Sequence, residues 1–194
     1  MDGLRVDGTV QLTTHGSGDA TVVNDAGLTF LASTVRNLAA TATTGNIVDS
    51  GVLTVAGTSS FTTSANNADI TLNNTNALTG TVALNTSGST GHALVDNGIT
   101  ALNLATSTVG GNLTLTSGHY IIDSSTVTVG GNLVATTDAA NGSIHMDGLR
   151  VDGTVQLTTH GSGDATVVND AGLTFLASTV RNLAATATTG NIVD

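Results

Sequence analysis

The sequence predicts an all-β protein, a right-handed parallel β-helix (β-solenoid) of about eight rungs with about 24 residues per rung. Three observations lead to this fold. Short runs of β-branched residues and leucine alternate with polar residues, which is typical of strands with one buried face. Glycine, asparagine and aspartate separate these runs at regular intervals. Proline, which would remove a hydrogen-bond donor from a stacked strand, is absent.

The first part of the chain recurs at its end. Met1 to Asp49 and Met146 to Asp194 are identical at every position, so one unit is 145 residues long. We expect residues 1–145 to form one complete unit of six rungs and residues 146–194 to form the first two rungs of the next, in one continuous solenoid. Because Met1 corresponds to Met146 within the chain, we also expect a segment of a longer tandem array.

Each rung is predicted to contain three short strands. The first follows a turn of small residues, as in 27–30 and 52–55. A corner that contains glycine, such as Gly57 or Gly130, leads to a second strand, as in 112–115. A polar loop, such as 136–142, then leads to the closing strand. One rung cannot bury its own apolar residues, so the stacked rungs must share a core.

A shorter period lies within the unit. An apolar pair followed by aspartate or asparagine returns at intervals of about 24 residues. These two residue types tolerate turn conformations, so we interpret the positions as a ladder of turns along one corner. Calcium bound between stacked carboxylates is an alternative interpretation. The predicted ladder consists of Asp2, Asn24, Asp49, Asn73, Asp96, Asp123, Asp147, Asn169 and Asp194.

Composition and charge narrow the functional classes. All fourteen acidic residues are aspartate, the four basic residues are arginine, and the net charge is -10. Without a basic cluster, nucleic acid and anionic membrane surfaces are not expected as partners. No apolar run approaches the roughly 18 residues of a membrane-spanning helix. With no lysine, no glutamate and no catalytic constellation, we expect neither an enzyme nor a cofactor.

Three residues form a candidate metal site. Asp69, His92 and His119 each precede a ladder position by four residues, which predicts that they stack on consecutive rungs. A carboxylate and two imidazoles are suitable ligands for a transition metal. Their occurrence in exposed turns without a metal is the simpler interpretation.

Four apolar residues form a candidate lateral surface: Val22, Ile47, Leu94 and Ile121. Each precedes a ladder position by two residues, and the residue between is apolar in every rung. Strand alternation therefore predicts that these four side chains point outward. The resulting apolar stripe would be covered by a loop or would contact identical chains laterally.

Several sequence segments resemble a known family. They are similar to the repeat region of bacterial giant exoproteins of the filamentous haemagglutinin type, which include surface and biofilm-matrix adhesins. The segments are residues 50–58, 69–74, 105–116 and 127–133. The resemblance implies a right-handed parallel β-helix, export across the outer membrane and a role as a long stalk in adhesion. The phrases specify a scaffold, so the resemblance assigns no functional residue.

We therefore expect an extracellular or cell-surface structural fibre, a stalk segment that serves adhesion or matrix formation without catalysis. Its expected partners are the neighbouring repeats of the same chain. The first alternative is a self-assembling filament or sheath of many identical chains joined through the apolar stripe. The second is binding of ice or polysaccharide by outward threonines such as Thr29, Thr54 and Thr128.

Overall fold

Parallel strands stacked along one axis form the molecule, which is described by a computed structural model for residues 5–194. The described residues contain 24 strands and no helix, and every pairing between strands is parallel. No helix in this range has the length and apolar character needed to cross a membrane. The predicted all-β parallel solenoid is thereby confirmed.

The strands are short and follow each other closely. In chain order they are β1 (Thr9–Val10), β2 (Ala20–Asn24), β3 (Leu28–Phe30), β4 (Ser33–Val35), β5 (Leu38–Ala42), β6 (Ile47–Asp49), β7 (Leu53–Val55), β8 (Ser59–Asn66), β9 (Ile70–Leu72), β10 (Ala77–Leu78), β11 (Thr81–Ser87), β12 (Ala93–Asp96), β13 (Leu102–Leu104), β14 (Ser107–Val109), β15 (Leu113–Ser117), β16 (Ile121–Asp123), β17 (Val127–Val129), β18 (Leu133–Ala140), β19 (Ile144–Val151), β20 (Thr154–His160), β21 (Ala165–Asn169), β22 (Leu173–Phe175), β23 (Leu183–Ala187) and β24 (Ile192–Val193).

These strands form three sheets. Sheet 1 has ten strands, in the order β1-β3-β6-β9-β12-β15-β18-β20-β22-β24, and it extends along the whole described chain. Sheet 2 has eleven strands and includes β2, β5, β8, β11, β16 and β17, while sheet 3 has only β4, β7 and β10. The chain contributes one strand to sheet 1 in each turn, so the described residues make about nine turns.

The turn is shorter than the sequence predicted. Paired residues on neighbouring strands of sheet 1 are 19 to 23 positions apart, or roughly 20 residues per turn instead of 24. Seven steps separate β1 from β20, which carries the identical sequence, so the 145-residue unit contains seven rungs instead of six. The prediction used the interval between ladder residues, and this interval is longer than one turn.

After seven rungs, the residues of the second copy do not align with the identical residues of the first copy. The pairings that begin at Thr9 pass through sheet 1 and reach Gln156 after seven steps. The residue identical to Thr9 in the second copy is Thr154, two positions earlier. A slip of two residues keeps each side chain on the same face of its strand, because side chains alternate with period two.

A continuous apolar core runs between the sheets. Its largest fully buried side chains include Phe30, Leu53 and Phe61, which alternate along their strands with outward residues. Burial of each residue depends on the rungs on both sides. Ile47 is completely buried, whereas the identical Ile192, in the last described rung, is 50% exposed.

The polar loops turn through the left-handed backbone region. Asn67 and Asn141 have φ angles of 63° and 72°, and Gly88 and Gly161 hold similar angles on the rungs that follow them. Asparagine and glycine adopt this region more readily than other residues do. The sequence therefore determines where each loop reverses direction.

Candidate functional site

The predicted turn ladder is divided between two sheets. Of its described members, one group lies in strands of sheet 2 and the other lies in or directly after strands of sheet 1. The ladder motif therefore moves around the solenoid from rung to rung, and it does not form one corner. The sheet 2 group is Asn24, Asp123, Asp147 and Asn169; the sheet 1 group is Asp49, Asn73, Asp96 and Asp194; Asp2 lies outside the described residues.

The side chains of three buried asparagines replace the backbone in hydrogen bonding between rungs. In Asn24, Asn97 and Asn169 the side-chain Oδ1 accepts the N–H of one residue on the neighbouring rung, and Nδ2 donates to the C=O of that same residue. The amide thus makes the pair of hydrogen bonds that a backbone residue would make. The paired residues are Val6, Leu78 and Val151, at distances of 2.8 to 3.1 Å.

Two buried carboxylates accept hydrogen bonds from the following rung. Asp49 accepts from the Asn73 N–H at 2.9 Å and from the Asn76 side-chain amide at 2.7 Å. Asp123 accepts from the backbone N–H groups of Asp147 and Gly148 at 3.0 and 2.9 Å. These N–H groups stabilise the two carboxylates, which is the role that the calcium interpretation gives to a bound cation.

Burial governs the titration of Asp123. Desolvation raises the pKa of this carboxyl above its ordinary value, and the charge of Asp147 acts in the same direction. The N–H groups of Gly148 and Asp147 lower the pKa, but they offset only part of the rise. The folded state therefore holds the proton more tightly than the unfolded state does.

The stability of the protein should therefore depend on pH through Asp123. The stabilisation linked to its raised pKa is fully present below the unfolded-state pKa of 3.8 and is lost as pH rises through the folded-state pKa. We expect the wild type to gain stability relative to Asp123→Asn as pH falls from about 6 to about 3. Urea unfolding of both proteins at several pH values measures this difference. A difference that stays constant with pH would contradict the assignment.

The structure brings together two of the three candidate metal ligands. Asp69 and His92 occupy adjacent rungs of sheet 1, and the Asp69 carboxylate accepts the His92 backbone N–H at 2.8 Å. The His92 ring accepts the Asn112 N–H through Nδ1 at 2.8 Å. His119 lies beside β16 of sheet 2, with its ring against Tyr120. Within residues 5–194, no group of three or more histidine, cysteine, aspartate or glutamate side chains is arranged to hold a metal ion.

Asp69 and His92 belong to a polar column that sequence reasoning missed. Each side chain in this column accepts the backbone N–H of the residue on the next rung, at 2.8 to 2.9 Å. The shared signal is a polar residue directly before each of the five consecutive sheet 1 strands β6, β9, β12, β15 and β18. The column consists of Asn46, Asp69, His92, Asn112 and Asn132, and ends on the N–H of Thr154.

Buried hydroxyl groups close the polar loops. The Oγ1 atoms of Thr63, Thr86 and Thr137 each donate to a carbonyl group five residues later, across the loop. All three threonines are buried. A threonine that ends an alternating strand before a loop is the signal that would have identified them.

The predicted lateral stripe is wrong for three of its four residues. Val22, Ile47 and Ile121 are completely buried, and Leu94 alone points outward and is partly exposed. The prediction assumed that the apolar residue next to the ladder position points inward. Asn24 and Asp49 are themselves buried, so period-two alternation also directs the residue two positions earlier into the core.

The proposed threonine surface is also divided. Thr29 lies in β3 of sheet 1, Thr54 in β7 of sheet 3 and Thr128 in β17 of sheet 2. These three residues therefore do not form one column on one face.

The arginines are all engaged in ion pairs. Each pairs with an aspartate on a neighbouring rung, at distances between 2.7 and 3.8 Å, and both partners are well exposed. Arg181 holds Asp164 through two hydrogen bonds and lowers the pKa of that carboxyl. Exposed pairs of this kind contribute little to stability. They leave no cluster of unpaired positive charge among the described residues.

A family model for repeats of unknown function (DUF5649) matches residues 17–85 and 90–147. The chain belongs to this repeat family. The second matched segment extends across the start of the second copy at Met146. No curated protein matches the chain, and no solved structure does. Membership in this family agrees with the tandem repeats and the stacked rungs, and the resemblance to filamentous haemagglutinin-type adhesins stays a prediction.

Proposed function

We propose that this chain is a segment of an extracellular structural fibre, a stalk that provides length and stiffness for adhesion or matrix formation at a cell surface. One observation supports the proposal above the others. The stacking of strands continues from the first unit into its identical copy without interruption, because Met146 lies inside β19 and β20 pairs with strands on both sides.

Repetition of such a unit adds length. Each 145-residue unit adds seven rungs, or about 34 Å at the usual spacing between strands. Backbone hydrogen bonds run parallel to the axis, so a pulling force acts along many bonds at once. The buried amides of Asn24, Asn97 and Asn169 are hydrogen-bonded to neighbouring rungs and hold the stack together.

The adhesin resemblance supports the stalk role. The similar phrases correspond to strands and corners, such as β7, β9, β15 and β17, and not to loops that could present a ligand-binding site. The two alternatives have less support. The multi-chain filament was predicted from a stripe whose residues are mostly buried, and the ice or polysaccharide surface was predicted from threonines that lie in three sheets.

Arrays of two, four and eight units would test the proposal. We expect isolated rods of constant width by negative-stain electron microscopy, with a contour length that increases by about 34 Å per unit. An array with Ile47→Asp in every unit is the control, because it should lose the rod. Beaded particles, or a length that does not increase with unit number, would overturn the fibre. Antibody labelling of intact cells tests the surface location, and labelling only after lysis would contradict it.

A further inference from the structure

The outer face of sheet 1 carries one uncharged column of side chains, here called the sheet 1 stripe. Register pairings connect its members over eight rungs. From β3 to β18 its members are all partly exposed. The stripe consists of Thr9, Thr29, Val48, Thr71, Leu94, Thr114, Val134 and Gln156.

Aliphatic residues and threonines alternate along this stripe. Val48, Leu94 and Val134 occupy every second rung, and Thr71 and Thr114 lie between them. Neighbouring aliphatic side chains are therefore about 9.6 Å apart along the axis. No member of the stripe is charged, although the chain has fourteen aspartates and a net charge of -10.

We propose that the sheet 1 stripe packs against the same stripe of a second copy of this chain. The proposal goes beyond the fibre function and rests on it for the length of the contact. A second copy has the same spacing between rungs, so its side chains meet the stripe at matching intervals along the whole contact. A shift of one rung brings the aliphatic residues of one copy opposite the threonines of the other.

Charge favours the same contact. Two chains of this composition repel each other wherever their aspartates approach. No member of the stripe brings a carboxylate into the contact, and Asp69 and Asp96 in the flanking columns would lie at its edges, where water and salt screen them. The stripe itself thus adds no charge repulsion to the contact.

The length of the contact determines its strength. A stripe about 34 Å long and one side chain wide buries less than the roughly 1,200 Å² of a standard interface. One unit should therefore associate weakly. Several units in one array act as linked binding sites, so association should increase steeply with unit number.

The two-residue slip of the repeat adds a geometric consequence. In the second copy the residues identical to those of the stripe are displaced by two positions, or about 6.6 Å, around the coil. Over several units the stripe therefore winds around the fibre. Two copies can keep contact only by coiling around each other, as helices do when a hydrophobic repeat drifts around their surface.

Sedimentation velocity of four-unit arrays would test the proposal. The test variant carries Val48→Thr, Leu94→Thr and Val134→Thr in every unit. These substitutions introduce the residue that already occupies the rungs between them. The matched control carries Val23→Thr, Val52→Thr and Ile122→Thr, three exposed or partly exposed aliphatic residues outside the stripe. We expect the parent and the control to self-associate, the stripe variant to lose about tenfold or more in affinity, and circular dichroism to be unchanged.

Three results would overturn the proposal. They are arrays that stay monomeric at every concentration, an equal loss of association in the control, and a stripe variant that loses binding to an insoluble polysaccharide instead of self-association. Rods of the expected length in any of these cases would leave the proposed fibre function intact. Electron micrographs of paired rods that cross at regular intervals would support the coiling.

Discussion

The Ile47→Asp substitution is expected to lower the free energy of unfolding by about 4 kcal/mol or more. Ile47 is completely buried, between Leu28 and Ile70 on the neighbouring rungs. A carboxylate at this position would be desolvated among apolar side chains without a hydrogen-bond donor. Urea unfolding followed by circular dichroism measures the loss.

The second copy provides a matched control. Ile192 has the same sequence neighbours before it as Ile47, but it is 50% exposed in the last described rung. In a protein made of residues 1–194 alone, where no further rung stacks on Ile192, we expect Ile192→Asp to cost less than about 1 kcal/mol. A harmless Ile47→Asp would show that this residue points outward, as the sequence pattern alone suggested. Equally large costs at the two positions would show that burial at this position does not need a following rung.

The Gly153→Ala substitution is expected to cost about 2 to 3 kcal/mol. A Cβ atom at Gly153 would lie 2.4 Å from Asn132 Oδ1 and 2.5 Å from the Gly131 carbonyl oxygen. The Asn132 oxygen is itself held in place, because it accepts the Thr154 N–H at 2.9 Å. The substitution therefore displaces backbone and a member of the polar column together, and thermal unfolding measures the effect.

Gly8→Ala is the control for this prediction. Gly8 has the same sequence neighbours as Gly153, but a Cβ atom added to it would have no atom of the described residues within 4 Å. In a protein made of residues 1–194 alone, where no rung precedes Gly8, we expect a change within about 0.5 kcal/mol. A similar loss at both glycines would mean that the local sequence requires glycine for its own conformation and that stacking has no part in it.

The two pairs of identical positions, Ile47 with Ile192 and Gly8 with Gly153, show how far local sequence predicts structure. The strands at 27–30, 52–55 and 112–115 were predicted from alternation and turn residues, and the structure confirms them, within one or two residues, as β3, β7 and β15. The glycine corners and the absence of proline correctly indicated stacked parallel strands. These features depend on residues that are adjacent in sequence, so they can be read without knowing which rung lies next to which.

The candidate sites were predicted less well, because each required the register between rungs. Asp69 and His92 were correctly expected on adjacent rungs, but His119 lies beside another sheet. The ladder period was taken as one turn, although loops of different length make the turns 19 to 23 residues long in sheet 1. A change of one position in register reverses inside and outside, which is why the lateral stripe was assigned to the wrong face.

By itself the sequence determined the β-solenoid, the 145-residue unit and its strands, because alternation, corner residues and identity between copies are local or exact patterns. Only the tertiary structure decided that the unit has seven rungs, that Asn24 and Asp49 point inward, and that the second copy begins two residues out of register. The physical reason is that buried polar groups are tolerated wherever the next rung supplies their hydrogen-bond partners. Those partners lie about 20 residues away in sequence, and only the stacking of the rungs identifies them.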